Sequence, residues 1–150
     1  MQQAPSAVIV LAAGLGTRMK SSTPKVLHSI AGRTLLGHVL SAIVPLEPAT
    51  TCVVVGHGRE HVEAEARRYL PECIAAVQEQ QNGTGHAVQI ALAAIDSVRS
   101  GTVLIVAGDT PLLTYDDLLN ATQAAAAGGV VVTAHLADPT GYGQIGRAHV

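Results

Sequence analysis

The chain alternates between continuous apolar runs and segments in which apolar residues recur at helical spacing. The runs are rich in valine, isoleucine and alanine, and each is short enough for a buried β-strand. The predicted strands are 6–13, 50–56, 73–78, 101–108 and 129–138. The predicted helices are 34–44, 58–70, 84–98 and 114–127. This alternation is typical of an α/β fold with a mostly parallel sheet and helices on both faces.

Three loops of the predicted sheet carry the residues that stand out from this apolar pattern. They follow Ala13, Gln78 and Ala107, each at the carboxyl end of a predicted strand. Ligands of open parallel sheets bind beyond the carboxyl ends of the strands. We therefore expect the three loops to meet in one crevice, with Thr114 capping the helix that follows the third loop.

Composition narrows the classes of ligand that such a crevice could take. The 150 residues are enough for one domain, and the net charge of −2 gives no broad basic surface for nucleic acid. With three tyrosines and no phenylalanine or tryptophan, a bound base would be read by backbone and amide groups. No apolar stretch approaches membrane-spanning length. Cys52 and Cys73 are expected to be buried thiols in a reducing, cytoplasmic setting.

The first loop lies in the stretch LAAGLGTRMKSSTPKVL. Gly14 and Gly16 begin as a dinucleotide-binding loop would, but Met19 stands at the third glycine position and no Walker lysine follows. One interpretation is a loop that presents backbone N–H groups to phosphate, with Arg18 and Lys25 supplying positive charge. The other is a tight turn with solvated basic residues. The proline that presets the backbone before the lysine favours the phosphate interpretation.

Four motifs occur in order over residues 7–143. They are LAAGLGTRM followed by PKVL, then QEQQNGTGHA, AGDTPLL and DPTGYG. With them the chain resembles the sugar-1-phosphate nucleotidyltransferases, and in particular the uridyltransferase domain of the bacterial bifunctional N-acetylglucosamine-1-phosphate uridyltransferase/glucosamine-1-phosphate acetyltransferases. The resemblance implies a Rossmann-like nucleotide-diphospho-sugar transferase fold. It also implies a UDP-N-acetylglucosamine diphosphorylase, which makes UDP-N-acetylglucosamine and pyrophosphate from UTP and N-acetylglucosamine-1-phosphate for cell-wall synthesis.

Candidate site residues follow from this resemblance and from the chemistry of the loops. Arg18 and Lys25 are implied as catalytic residues that neutralise phosphate charge, and Asp109 as the ligand of Mg²⁺, the implied cofactor. A carboxylate just past an apolar strand needs a partner, although a turn-capping role would also provide one. The implied nucleotide and sugar-nucleotide contacts are Leu11, Ala12, Ala13, Gly14, Lys25, Gln78, Gln81, Gly83, Thr84, Ala107, Gly108, Asp109 and Gly143.

Two glutamines among these contacts suit a uracil base. The amides of Gln78 and Gln81 donate and accept at once, as the edge of uracil does. A polar loop that only starts the next helix is the alternative for this stretch. His86, in the first turn of that helix, is expected to be structural rather than catalytic.

The family's domain continues beyond residue 143, so residues 1–143 are expected to be a partial uridyltransferase domain, truncated on its C-terminal side. The family has an arginine after GYG, whereas residues 144–150 read QIGRAHV. A common sequencing-library adapter, read in frame with one cytosine before it, translates into this heptapeptide, and we expect a non-native tail. A divergent natural terminus is the alternative. The family trimerises through a C-terminal domain that the chain does not include. We expect little or no activity from the chain itself; an inactive nucleotide-binding fragment and a nucleotidyltransferase for another sugar phosphate are the alternatives.

Overall fold

The computed structural model describes residues 4–14, 16, 19–125 and 128–141. Strands and α-helices are numbered here in chain order, and short 3₁₀ turns are named by residue. The elements are β1 (Ala7–Leu11), β2 (Ser29–Ile30), β3 (Arg33–Thr34), α1 (Leu35–Ile43), β4 (Thr51–Val55), α2 (Arg59–Tyr69), β5 (Ile74–Val77), α3 (Gly83–Ala94), β6 (Val103–Ala107) and α4 (Tyr115–Ala124).

The main sheet is parallel and runs in the order β5-β4-β1-β6. Strand β1 lies inside it, with Val8 in register with Thr51 of β4 on one side and with Leu104 of β6 on the other. Strands β2 and β3 pair antiparallel in a small separate hairpin. The predicted α/β fold with a mostly parallel sheet is therefore confirmed in the described part of the chain.

Alternate residues of the central strands point to opposite faces of the sheet, which produces two apolar clusters. On one face, Val8 and Val10 pack with side chains of α1, α2 and α4. On the other face, Ala7 and Ile9 pack with α3. The two faces are unequally covered, because α3 packs mainly on β1, β4 and β5. Ile105 of β6, on the α3 side, therefore stays 52% exposed.

The two cysteines lie on opposite faces of this sheet. Cys52 belongs to the cluster beneath α3, whereas Cys73 belongs to the cluster beneath α1, α2 and α4. Both thiols are free and buried. The prediction that the cysteines are small buried residues is confirmed.

The helix boundaries agree with the sequence pattern to within a few residues. The hydroxyl of Thr114 accepts a hydrogen bond from the Asp117 N–H and caps α4, and the Asp117 carboxylate accepts from Thr114 in return, which lowers the pKa of Asp117. Helix α3 ends at Ala94, before the predicted residue 98, because Asp96 and Ser97 favour turns over helix interiors. In the described ranges, no helix is long and apolar enough to cross a membrane.

The prediction of a strand at 129–138 is wrong for this structure. Residues 128–141 contain no strand, and Val131 and Val132 are each 70% exposed. The segment has the β-branched composition of a strand, but a strand also needs a neighbour with which its backbone groups pair. Among the described residues, the outer side of β6 is unpaired and forms the edge of the sheet.

Candidate functional site

A cleft of about 290 Å³ lies at the carboxyl ends of the parallel strands. Three loops border it, those that follow β1, β5 and β6. Its lining residues are Leu11, Ala13, Gly14, Lys25, Val26, Gln78, Gln81, Gly83, Thr84, Ala87, Ala107 and Asp109. The three loops chosen from the sequence therefore do meet in one cleft. Val26 and Ala87 were not among the sequence candidates; they add small apolar surface to its wall.

Lys25 and Asp109 form an ion pair across this cleft. The Lys25 Nζ lies 2.5 Å from the Asp109 Oδ2, and the side chains are 42% and 31% exposed. Pro24 precedes the lysine in extended conformation, and a 3₁₀ turn over Lys25–Leu27 follows. Asp109 comes two residues after the end of β6. The pair thus joins the loop after β1 to the loop after β6, and both charged groups remain accessible to a ligand.

The two glycines of the first loop have different structural roles. Gly16 has φ +59°, and a Cβ there would lie 2.7 Å from the Lys25 Cβ, so glycine is needed for the close approach of the lysine. A Cβ on Gly14 would meet nothing within 4 Å. Gly14 is therefore not required by contacts within the described protein, and the space beside it opens into the cleft.

The loop after β6 is held against the end of β1. The Gly108 N–H donates to the Leu11 carbonyl at 2.9 Å, and a Cβ on Gly108 would lie 3.1 Å from the same oxygen. The side chain of Ala12 is buried in the core, and its N–H donates to the Val54 carbonyl. Ala12 and Gly108 were predicted nucleotide contacts. In this structure they do not line the cleft but hold the strands behind it.

Both glutamines of the middle loop direct their amide nitrogen to a main-chain carbonyl of the protein. The Gln78 Nε2 donates to the Gly83 carbonyl at 3.1 Å and lies 3.2 Å from the His86 Nδ1. The Gln81 Nε2 donates to the Ala13 carbonyl at 2.6 Å. A carbonyl oxygen only accepts, so each amide must turn its nitrogen toward it. For Gln78, the expectation that the amide both donates and accepts toward a base is thereby narrowed to acceptance through Oε1. The bond of Gln81 uses one of its two N–H groups, so for Gln81 the expectation stays a prediction.

The contact between His86 and Gln78 could not be predicted from the sequence. His86 lies in α3, outside the cleft lining, and touches the cleft only through Gln78. The one available signal was its spacing of eight residues from Gln78 across a strand-to-helix turn.

Two predicted site residues, Arg18 and Gly143, lie outside the described residues. Their roles remain predictions. Of the described ranges, no group of three or more histidine, cysteine and acidic side chains could hold a metal ion. Asp109 is the carboxylate that lines the cleft.

Comparison with known proteins relates the chain that forms this cleft to a family. Residues 8–145 match the MobA-like NTP transferase domain. The bifunctional protein GlmU of Streptomyces coelicolor is 55% identical to the chain over 146 residues, which cover 95% of this chain and 30% of that protein. The match lies in the N-terminal part of GlmU. The chain therefore spans less than a third of the length of this relative.

Solved structures share the fold of the chain. The inositol-1-phosphate CTP transferase from T. maritima has a TM-score of 0.60 and 22% identity, covering 73% of this chain and 45% of that one. Rv0371C from Mycobacterium tuberculosis, solved in complex with manganese, has a TM-score of 0.62 and 21% identity, with 82% and 60% covered. These likenesses show the nucleotide-diphospho-sugar transferase fold. The match to the MobA-like NTP transferase domain extends over nearly all residues of the chain. The chain therefore belongs to the MobA-like NTP transferase family.

Proposed function

We propose that this chain carries the nucleotide-binding part of a uridyltransferase that makes UDP-N-acetylglucosamine and pyrophosphate from UTP and N-acetylglucosamine-1-phosphate. The observation that carries the proposal is the cleft itself, which is lined by an accessible Lys25–Asp109 pair and by two glutamines whose amide nitrogens are bonded to main-chain carbonyls. The identity of 55% to a GlmU protein supports the choice of substrates.

The phosphate side of the reaction needs positive charge and alignment. An oxygen of the sugar phosphate attacks the α-phosphorus of UTP, and the bond from that phosphorus to the pyrophosphate oxygen breaks. Both reactants are anions, so neutralising their charge and holding them in line are the main tasks of the protein. We assign Lys25 to the reacting phosphates and Arg18 to the leaving β- and γ-phosphates. The open space beside Gly14 lets the backbone approach a phosphate.

The cleft fits a Mg²⁺ ion that is held largely by substrate. Asp109 offers a carboxylate, and Mg²⁺ typically binds one or two protein carboxylates while keeping waters and phosphate oxygens as its other ligands. Bound there, Mg²⁺ would neutralise charge on the phosphates. Lys25 donates to Oδ2 of this carboxylate, and the second oxygen, Oδ1, could hold the metal.

The setting proposed for this reaction is the cytoplasm, as part of cell-wall precursor synthesis. Two buried free thiols are consistent with a reducing compartment. The sugar phosphate would be bound partly by segments corresponding to the remaining length of the GlmU relative, of which this chain covers 30%. Trimerisation, if it follows the family, also belongs to those segments.

Calorimetric titration of the chain with UTP, CTP and GTP, each with and without Mg²⁺, tests the proposal. We expect UTP to bind more tightly than the other two nucleotides, and Mg²⁺ to strengthen its binding. Equal binding of all three nucleotides would contradict the uridyl assignment. Failure of every nucleotide to bind would contradict the assignment of the cleft.

A further inference from the structure

A histidine outside the cleft fixes the orientation of a glutamine inside it. The Gln78 side chain is almost fully buried, with 5% of the residue exposed. Its Nε2 carries two protons and faces two groups, the Gly83 carbonyl at 3.1 Å and the His86 Nδ1 at 3.2 Å. His86 is thus a direct neighbour of a cleft residue without lining the cleft.

The chemistry of these two neighbours leaves the amide one stable orientation. The Gly83 carbonyl can only accept a hydrogen bond, so Nε2 must face it. The second amide proton of Gln78 then points at the His86 Nδ1, which must offer its lone pair. The imidazole ring of His86 therefore carries its proton on the other ring nitrogen, the His86 Nε2. Turning the amide over would break the bond to Gly83 and place Oε1 against its carbonyl oxygen, and His86 would have to move its ring proton to Nδ1 to keep a hydrogen bond. The glutamine is therefore locked with its oxygen as the free group.

A locked oxygen selects among pyrimidine bases. The Watson–Crick edge of uracil presents O4, N3–H and O2, of which only N3–H can donate to an acceptor. Cytosine presents an unprotonated N3 at the same place. A buried site built to pair with a donor rejects an analogue that lacks it, because its own polar group is then left unpaired.

We infer that His86 is a positioning residue that holds the Gln78 Oε1 as the acceptor for the N3–H of uracil. This inference rests on the proposed function, since it requires a uridine nucleotide in the cleft. Gln81 donates instead to a main-chain carbonyl, that of Ala13, and among the described residues this bond involves no other side chain. A substitution at His86 therefore removes one of the two hydrogen bonds that hold the Gln78 amide, keeps the bond to Gly83, and leaves Gln81 in place.

Two substitutions separate the hydrogen bond from the bulk of the ring. His86→Leu removes the acceptor, whereas His86→Asn can return an amide oxygen near the position of Nδ1. Titration of the whole chain with UTP, CTP and N3-methyl-UTP in the presence of Mg²⁺ gives the preference of each variant. We expect His86→Leu to reduce the preference for UTP over N3-methyl-UTP by about fivefold, the size of one hydrogen bond. His86→Asn should restore most of it.

A spectroscopic measurement tests the contact without any ligand. Long-range ¹H–¹⁵N correlation of the His86 ring should show a protonated Nε2 and an unprotonated Nδ1. A proton on Nδ1 would overturn the inference, as would a folded His86→Leu variant with unchanged preference for UTP. If the wild-type chain binds no uridine nucleotide, the proposed function fails and the role at N3–H fails with it. The ring tautomer would still decide whether His86 holds Gln78.

Discussion

The Nζ of Lys25 donates to the Oδ2 of Asp109 at 2.5 Å, although the two residues are 84 positions apart in the chain. The fold brings them together because β1 and β6 are neighbours in the sheet and both loops leave its carboxyl edge. Each side chain is more than a quarter exposed, so the pair adds at most about 1 kcal/mol to the free energy of unfolding. We expect the ion pair to matter mainly for binding, because Lys25 can bind an anionic group of a ligand and Asp109 can bind a cation.

Asp109→Asn should abolish the part of UTP binding that depends on Mg²⁺. The amide keeps the size of the side chain but removes the charge that attracts the metal. The measurement is the rise in melting temperature on adding UTP, with and without Mg²⁺. Asp96→Asn is the control, because Asp96 is exposed and pairs only locally with Arg99. A Mg²⁺ effect of normal size in the Asp109 variant would remove this residue from the metal site.

Lys25→Ala should weaken binding of UTP by roughly ten- to a hundredfold, since hydrogen bonds to charged groups contribute about 1.5–3 kcal/mol. Calorimetric titration measures the affinity, and Arg99→Ala is the matched loss of an exposed positive charge. In a full-length relative, the corresponding substitution should lower kcat by about 10²–10³ if the lysine stabilises charge that develops during transfer. Equal losses in affinity and kcat/KM with unchanged kcat would make Lys25 a binding group only.

Gly37→Ala should destabilise the protein even though alanine is the better helix former. A Cβ on Gly37 in α1 would lie 2.6 Å from the hydroxyl of Tyr69 and 2.8 Å from the Thr34 Oγ1. We expect the free energy of unfolding in urea to fall by roughly 1–3 kcal/mol. Gly85→Ala in α3 is the control, because its Cβ would meet nothing within 4 Å and should stabilise by up to about 1 kcal/mol. Equal effects at both positions would refute the close packing of α1 on α2.

Cys52 should be unreactive in the native protein. Burial, with a smaller contribution from the neighbouring Cys73, raises the pKa of the Cys52 thiol to about 11 from an ordinary value of 9.0. At pH 8 the thiolate that reacts with Ellman's reagent is therefore scarce. We expect slow labelling of the native chain and rapid labelling in denaturant. Rapid native labelling at Cys52, located by peptide mapping, would contradict this burial.

The same shift makes stability depend on pH in the alkaline range. The pKa of the Cys52 thiol is raised in the folded state. The contribution of this shift to the free energy of unfolding is therefore fully present below pH 9 and is lost as the pH rises toward about 11. Over that window the unfolded chain releases its proton first. Urea unfolding across this range should show a steeper decline for the wild-type chain than for Cys52→Ala.

The sequence predicted the sheet well because its strands are continuous apolar runs, and the two central ones, β1 and β4, are buried on both faces. It failed at 129–138 because strand composition cannot reveal whether a segment pairs with a neighbouring strand, and this one does not add to the unpaired edge of β6 in the described chain. Similarly, motif positions placed Lys25 and Asp109 in one crevice but not in direct contact, since the contact depends on where Gly16 lets the lysine pass. The orientation of the Gln78 amide was also beyond the sequence, because three-dimensional contacts with Gly83 and His86 determine it.

The unequal cover of the sheet has a consequence for amide hydrogen exchange. All five residues of β4 are buried and its backbone pairs on both sides, so these amides should exchange only when the whole domain opens. In β6, by contrast, Ile105 is exposed and one side is an unpaired edge within the described chain. Exchange should therefore be faster in β6, the strand that leads to Asp109, than in β4. A nucleotide that binds at Asp109 should then slow amide exchange along β6 more than along β4. The exchange rates of the β6 amides would therefore serve as a measure of nucleotide binding.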